Sequence, residues 1–450
     1  MGGAAVSSAS TLMPGSPAAP APARTLQVHS RVAGPAQLDV LLLDAQYRQT
    51  LACMRVFARS GLRVGAVACA PDAWWAPSFR SSWCSLSAVL PDFALGADAY
   101  VDALLALLDE HPARMLLPAH DGSIEALRAR RAELERRVAL PLASEAALDI
   151  AVSKARTMAL AAEMGIAVPR SIPVTDLDDI LAALDDVGLP AVIKPVQSWV
   201  ERDGVGTRLT SEAVLSVEDA KKSLDYIVSA GGQAVIQQWL PGRREAVSLF
   251  YAHRRFWARF AQVSHREWPV LGGVSVLCES IPLLPDITEP AERLVRTIDL
   301  EGCSMVEFRR DREGRPVLME INPRIAGSVA LAISSGVGFP TLVHDWALGG
   351  TLREVAAYRT GRRLRWLGGD IWNLKCVFDS RGQLDVPPRG RAVATFLSDF
   401  VLRPSAFDLV EAGDMRPALI EMRKTVLLHG QRRLLKSRLA RWLMREGKVK

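Results

Sequence analysis

Short apolar runs alternate with amphipathic stretches along most of the chain, and that rhythm predicts strands and helices in turn. Asp39 to Leu43 (DVLLL) reads as a buried strand, Arg48 to Arg59 as a helix before Gly61, and Val64 to Ala68 as a second strand. A helix near Ala99 to Leu108, the short strand Met115 to Leu117 and a helix over Asp121 to Arg136 continue the alternation, which implies a parallel sheet. The pattern then changes. Ser153 caps a helix that runs to Met164 and stops at Gly165, with Pro169 beyond it, so a new domain starts near residue 151. A helix near Leu177 to Asp186, the strand Ala191 to Pro195, a turn at Asp203-Gly204 and Gly206, and a helix near Val217 to Val228 follow. The strand Ala234 to Trp239 ends at Pro241-Gly242. Long alternating strands cover Ala246 to Val263, and a helix covers Pro290 to Thr297. Strands Ser304 to Arg309 and Pro316 to Ile321 are joined by a turn at Glu313-Gly314. The expected fold class is α/β and α+β: an N-terminal parallel-sheet domain (38–150), a two-lobed mixed domain (151–350) and a C-terminal extension (351–450).

Composition narrows the picture. Hydrophobic residues make up 49% of the 450 residues, enough for two or three packed cores. Residues 1–37 are dominated by Ala, Pro, Ser and Gly, with too few large apolar groups to offset the entropy of ordering, and a disordered leader is expected. That leader has neither the basic start nor the apolar centre of a secretory signal. No apolar run approaches the roughly 18 residues that span a bilayer, so a soluble, cytoplasmic protein is expected. The six cysteines lie far apart without C-x-x-C pairs, which reads as reduced, mostly buried thiols. The net charge of +6 is local: residues 421–450 hold ten Lys or Arg against two Glu, or +8, leaving −2 elsewhere. A general nucleic-acid surface is therefore not expected. Gln431 to Glu446 reads as a basic amphipathic helix, which docks on its own protein or stays solvated, makes peripheral contact with an anionic membrane, or binds nucleic acid locally.

No G-x-G-x-x-G follows the first strand, no P-loop pattern occurs, and the histidines form no Ser-His-Asp or Cys-His arrangement. The chemistry gathers instead at the last hairpin. Glu307 lies on one strand, and Glu320 and Asn322, two apart on the next, share a face. Such an E-x-N alone is common, but Met305, Val306, Leu318 and Ile321 make this hairpin largely buried, and buried carboxylates need cations. Three hard oxygen donors on a rigid sheet suit Mg²⁺ shared with nucleotide phosphates. Arg324 follows at once and reads either as a surface arginine or as a planar fork for a phosphate. Lys194 ends the apolar strand AVIKP, where a buried ammonium group calls for an anion. Lys154, at a helix start, opposes the macrodipole and reads as solvated or as anion-binding.

The order of these pieces resembles the ATP-grasp superfamily, which includes biotin carboxylase, carbamoyl phosphate synthetase and D-alanine ligase. The pieces are Ser153-Lys154, Val192-Ile193-Lys194-Pro195, Gln237-Gln238-Trp239-Leu240-Pro241-Gly242, Met305-Val306-Glu307-Phe308 and Met319-Glu320-Ile321-Asn322-Pro323-Arg324. The resemblance covers roughly residues 38–350. It implies that ATP lies between two antiparallel sheets, with Lys154 and Lys194 on its phosphates. Gln237, Gln238, Trp239 and Leu240 form the adenine segment, and Glu307, Glu320 and Asn322 hold Mg²⁺. Glu245 is the candidate for the ribose, although the family has its acid two residues after the glycine, where this chain has Arg244. A phosphate-covering loop is expected near 197–206. The stretch 265–275 is similar to that of bacterial carboxylate-amine ligases, which makes Arg266 a candidate to hold a carboxylate or transferred phosphoryl group, unless the stretch is a plain loop between strands. The implied activity is that of a ligase joining a small-molecule carboxylate to an amine or other nucleophile. A non-catalytic ATP-binding or scaffolding protein is the competing reading.

Overall fold

The computed structural model describes residues 27–30, 37–70, 72–197, 199–202, 205–270, 272–380, 386–403 and 405–427. Most of the expected leader, and the helix expected over 431–446, lie outside them. β2 (Leu38–Leu42), β3 (Val64–Cys69), β4 (Cys84–Leu90) and β5 (Ala113–Leu117) are mutually parallel, as the alternation implies. All six residues of β3 are buried, which befits an inner strand covered on both faces. One element differs from expectation: residues 27–30, placed in the leader, form β1 (Gln27–Ser30), antiparallel to β4. The sheet order β1-β4-β3-β2-β5 shows why. Without β1, β4 would be an edge strand with open backbone donors and acceptors. The single helix expected over Asp121 to Arg136 is two, Asp121–Arg128 and Arg131–Glu135, and Arg130 leaves helical geometry between them.

The small lobe of the second domain contains β6 (Ser171–Val174), β7 (Ala191–Pro195), the hairpin of β8 (Trp199–Arg202) and β9 (Val205–Arg208), β10 (Glu212–Val214) and β11 (Ala234–Gln238). The four-stranded sheet runs β10-β7-β11-β6, all antiparallel. Helices Leu177–Val187 and Val217–Ser229 supply Ile180, Leu184, Leu224 and Ile227 to a core with Ala191, Ile193 and Ile236. Strand alternation therefore sends Lys194 to the opposite face, with Val192, Val235 and Gln237.

The large lobe is built on β12 (Arg244–Ala252), β13 (Arg255–Trp268), β14 (Val274–Ile281), β15 (Gly302–Arg310), β16 (Pro316–Asn322), β17 (Arg363–Arg365) and β18 (Ala406–Phe407), in the order β16-β15-β12-β13-β14-β17-β18. One face, with Val247, Val306 and Phe308, packs with Leu41, Leu116 and Leu294 into a core shared with the first domain. The helix expected from Pro290 starts earlier, at Pro285. Pro290 inside it forfeits one backbone bond, while Ile287, Ala291, Leu294 and Val295 bury a continuous stripe. Residues 265–268, which the plain-loop reading placed outside the sheet, complete β13. The segment after residue 350 is likewise built in. β17 pairs with β14, and Asp408 and Asp414 bind Arg48 and Arg55 of the first domain. No helix among the described residues is long and apolar enough to cross a membrane.

Candidate active site

The β15–β16 register places Glu307 directly opposite Glu320 and Met305 opposite Asn322. A bulge at Met319 makes this possible. Leu318 and Glu320 would otherwise share a face. The extra residue lets Leu318 join the core beside Phe308 while Glu320 turns to the other side. Asn322 donates from its Nδ2 to Glu307 Oε1 at 3.4 Å and to Glu320 Oε1 at 3.2 Å. An amide that bridges two carboxylates occupies the place of a shared cation. Two facing carboxylates, Glu307 buried and Glu320 half-buried, with the Asn322 amide beside them, fit Mg²⁺ that also binds phosphate. No group of three or more His, Cys, Asp or Glu side chains suited to a metal occurs among the described residues, so this two-carboxylate floor is the candidate.

The two carboxylates differ electrostatically. Burial pushes Glu307 up, and Arg244 opposes that rise while Glu320 adds to it. For Glu320 burial also acts upward, but Lys154, Asn322 and Lys194 outweigh it and hold the group low. Burial and then Lys154 pull the Lys194 ammonium down to about 8, against the attraction of Glu320. Both lysines thus feel the carboxylate floor, Lys194 from the sheet of the small lobe.

Two expectations are corrected. Glu245 does not face this floor. It pairs in register with Phe308 and Val263, on the core side, and its carboxylate is 1% exposed between Arg243 and Arg310, each at 2.7 Å. One residue earlier, Arg244 does face the floor, because its neighbour Arg309 and then Ala246 opposite Glu307 fix the alternation. Its Nη1 lies 3.3 Å from Glu307 Oε2 and its Nε 3.5 Å from Glu267 Oε1, and Nη2 donates to Ser275 Oγ at 2.7 Å. Arg266, proposed to hold substrate, is committed elsewhere. Bulges on either side of it turn it towards the helix Leu367–Asp379. There it donates to both Asp370 oxygens at 2.7 Å and to Asp399 at 2.5 Å. The residue that the bulge delivers to the floor is its neighbour Glu267, which also accepts from Arg309 Nη2 at 2.7 Å.

In the adenine segment, Gln237 is buried on the cleft face and donates to Ser171 Oγ at 2.9 Å. The main-chain N of Gln238 is bonded to Arg170, Leu240 is buried, and the Arg309 guanidinium sits 5.9 Å from the Trp239 ring centre. Gly242 closes the turn. A Cβ there would lie 2.3 Å from Arg310 O, so only glycine lets the linker cross the large sheet. The expected phosphate-covering loop coincides with the β8–β9 hairpin, whose residues 203–204 fall outside the described set.

Arg324 links the two domains. Its Nε donates to Asp121 Oδ1 at 2.6 Å, and its Nη2 donates to Asp121 Oδ2 at 3.2 Å and to Asn322 Oδ1 at 3.1 Å. Asp121 begins a helix just beyond the C-terminal end of β5. Sequence reasoning missed it, along with Glu267 and Arg309. Arg309 was within reach, because 305, 307 and 309 alternate onto one face.

Comparison with known proteins agrees with this layout. Residues 271–369 match a family described as ATP-grasp in the biosynthetic pathway with Ter operon. The carbamoyl phosphate synthase large chain of Neisseria gonorrhoeae is 27% identical over 233 residues, which is 49% of this chain but only 21% of that protein. Among solved structures, biotin carboxylase from Campylobacter jejuni superposes with a TM-score of 0.56 at 14% identity, covering 73% of this chain and 74% of its own. The L-amino acid ligase from Bacillus licheniformis gives 0.53 at 16%, covering 73% and 79%. With two antiparallel sheets, the motifs in their expected order and a family match over residues 271–369, the chain has the fold of the ATP-grasp proteins and is similar to them in sequence over part of its length.

Proposed function

We propose that the protein is an ATP- and Mg²⁺-dependent ligase that activates a small-molecule carboxylate as an acyl phosphate for attack by an amine. The observation that carries this reading is the pairing of the buried Glu307 with the half-buried Glu320 across β15 and β16, bridged by Asn322 and coupled electrostatically to Lys194. Glu307, Glu320 and Asn322 would hold Mg²⁺, which supplies charge neutralisation for phosphoryl transfer. Lys154 and Lys194 bind and orient the phosphates. Trp239, the main chain of Gln238 and the buried Leu240 form the wall for the base. Arg324, whose Nε and Nη2 are held by Asp121, presents a fixed positive charge where the carboxylate of the substrate meets the transferred group. One carboxylate oxygen forms the new P–O bond as ADP leaves. The amine then displaces phosphate and loses a proton. Little acid or base help is needed, because such a reaction depends on in-line placement and charge neutralisation. The likeness of fold to the L-amino acid ligase from Bacillus licheniformis supports the choice of an amine as nucleophile.

The test is release of ADP and phosphate from ATP and Mg²⁺ across pooled carboxylic acids and amines, with Glu320→Gln as the blank. Turnover that requires one acid and one amine, and drops at least 100-fold in Glu320→Gln with an unchanged circular dichroism spectrum, is expected. Nucleotide binding without turnover on any pool would favour the non-catalytic reading.

A further inference from the structure

The outer side of the small lobe carries a groove that the ligase chemistry leaves unused. The helices Leu177–Val187 and Val217–Ser229 lie side by side on the sheet, and the cavity of about 450 Å³ between them is lined by Leu177, Ile180, Leu224 and Val228, with Asp176 and Asp225 at its rim. Ile180 and Leu224 belong to the core on one face of the four-stranded sheet and Lys194 lies on the other, so the groove is turned away from the cleft. The first of these helices has a second apolar row. Ile180, Ala183 and Leu184 are buried, but Leu177 and Leu181, one turn apart, are 42% and 48% exposed, and Val228 on the neighbouring helix is 47% exposed. A continuous apolar strip left open on a helical face marks a surface that another element covers.

Charge identifies that element. The N-cap Asp176 and the two helices hold eight carboxylates against Lys221 and Lys222. Arg170 meets Asp186 at 3.3 Å and Lys222 meets Glu218 at 2.7 Å, whereas Asp178, Asp185 and Asp225 are exposed and have no ion-pair partner among the described residues. The complement is on this same chain. Residues 431–446 carry six Lys or Arg against Glu446, and Leu435, Leu439, Trp442 and Leu443 recur at helical spacing. They lie beyond Leu427, where the described residues end. A helix of that length measures about 24 Å, against about 20 Å for Val217–Ser229, enough to follow the groove from end to end. An apolar stripe flanked by arginines matches an apolar groove flanked by aspartates, and helix-in-groove docking uses anchors at this spacing. An anionic lipid surface would suit the segment equally but would leave the acidic groove open.

We propose that residues 431–446 of this chain dock as a helix in the groove between Leu177–Val187 and Val217–Ser229. The segment thereby straps the C-terminal extension to the small lobe on the side away from the nucleotide cleft.

The experiment follows trypsin cleavage of the full chain after Arg432, Arg433, Lys436, Arg438 and Arg441 by mass spectrometry at low ionic strength. Docking predicts slow cleavage in wild type, and cleavage about tenfold faster in Leu181→Arg/Val228→Arg with thermal unfolding unchanged, because proteolysis tracks the undocked population. Added salt should speed cleavage of the wild type towards the rate of the variant. Leu435→Asp/Leu439→Asp opens the same contact from the side of the segment, keeps every cleavage site and leaves both helices intact, so it decides the matter even where the first variant misfolds. Equal rates in wild type and both variants would overturn the proposal. Protection that disappears on dilution together with a dimer in analytical ultracentrifugation would overturn it in favour of a second copy as the occupant. Flotation with phosphatidylserine vesicles covers the lipid alternative: docking predicts stronger vesicle binding once Leu181→Arg/Val228→Arg releases the segment, and binding equal to that of wild type would assign the segment to a membrane and overturn the proposal.

Discussion

Asp44 follows β2 at the C-terminal edge of the parallel sheet, with a positive φ of 61°, and is 2% exposed. Its Oδ2 accepts from Ala119 N at 2.9 Å and from Ser123 Oγ at 2.6 Å, fixing the loop that leads to Asp121. Burial nevertheless dominates and pushes its pKa from 3.8 up to about 6. Folded protein therefore binds a proton between these values that unfolded chain releases, so this group's stabilisation is present below pH 4 and lost as pH rises through 6. A shift of that size corresponds to about 3 kcal/mol. Asp44→Asn keeps an acceptor for Ala119 and Ser123 without the charge. Urea denaturation at pH 4 and pH 6.5 should show wild type losing stability relative to the variant by up to that amount, and a pH-independent difference would refute the assignment. The same scale shows what the sequence could disclose. Glu307, Glu320 and Asn322 were legible because E-F and E-I-N alternate with apolar neighbours. Glu245 was misplaced because a motif position was carried over one residue out of phase, and in a strand one residue is the whole difference between core and cleft.

Elements carry the next layer, and here irregularity decides. The bulge at Met319 delivers Glu320 to the floor, and the bulges around Arg266 deliver Glu267 there while removing Arg266. Periodicity counts residues in twos and cannot see an inserted one, so regular strands were found from sequence and the faces of Arg266 and Glu267, set by bulges, were not. Arg266 instead joins Arg363 and Arg365 around Asp370 and Asp399, a network whose Arg365 and Asp370 are fully buried. Removing one member leaves buried carboxylates short of a partner. Arg266→Met should cost about 2–3 kcal/mol, discounted for the two arginines that remain. Thermal denaturation should fall by several degrees while the KM for ATP stays within twofold of wild type. A large rise in KM with no loss of thermal stability would restore Arg266 to the substrate site.

For the molecule as a whole, the arrangement that matters is one no local pattern discloses: loops far apart in sequence meet at Arg324. Asp121 lies 203 residues before it, and Asp414 lies 359 residues beyond its partner Arg55, so neither pairing leaves a periodic trace. The built-in C-terminal segment stayed unread for that reason. The Asp121–Arg324 contact ties the first domain to the carboxylate floor, since Arg324 also holds Asn322. Burial works against the guanidinium, but Asp121, Glu320 and Glu307 hold it charged. Asp121→Asn removes the fixed counter-charge and one of two parallel contacts while leaving Lys154, Lys194 and the carboxylate pair untouched. Nucleotide affinity, measured by calorimetry, should therefore change less than threefold, whereas kcat should fall about 10- to 100-fold, the equivalent of roughly 1.4–3 kcal/mol of misplaced transition-state stabilisation. A double-mutant cycle with Arg324→Lys separates the two ways this could arise. If Asp121 acts by orienting Arg324, the second substitution adds little to the first, because the fork is already lost. If the effects multiply, Asp121 touches the reacting groups by itself, and the first domain contributes chemistry as well as position.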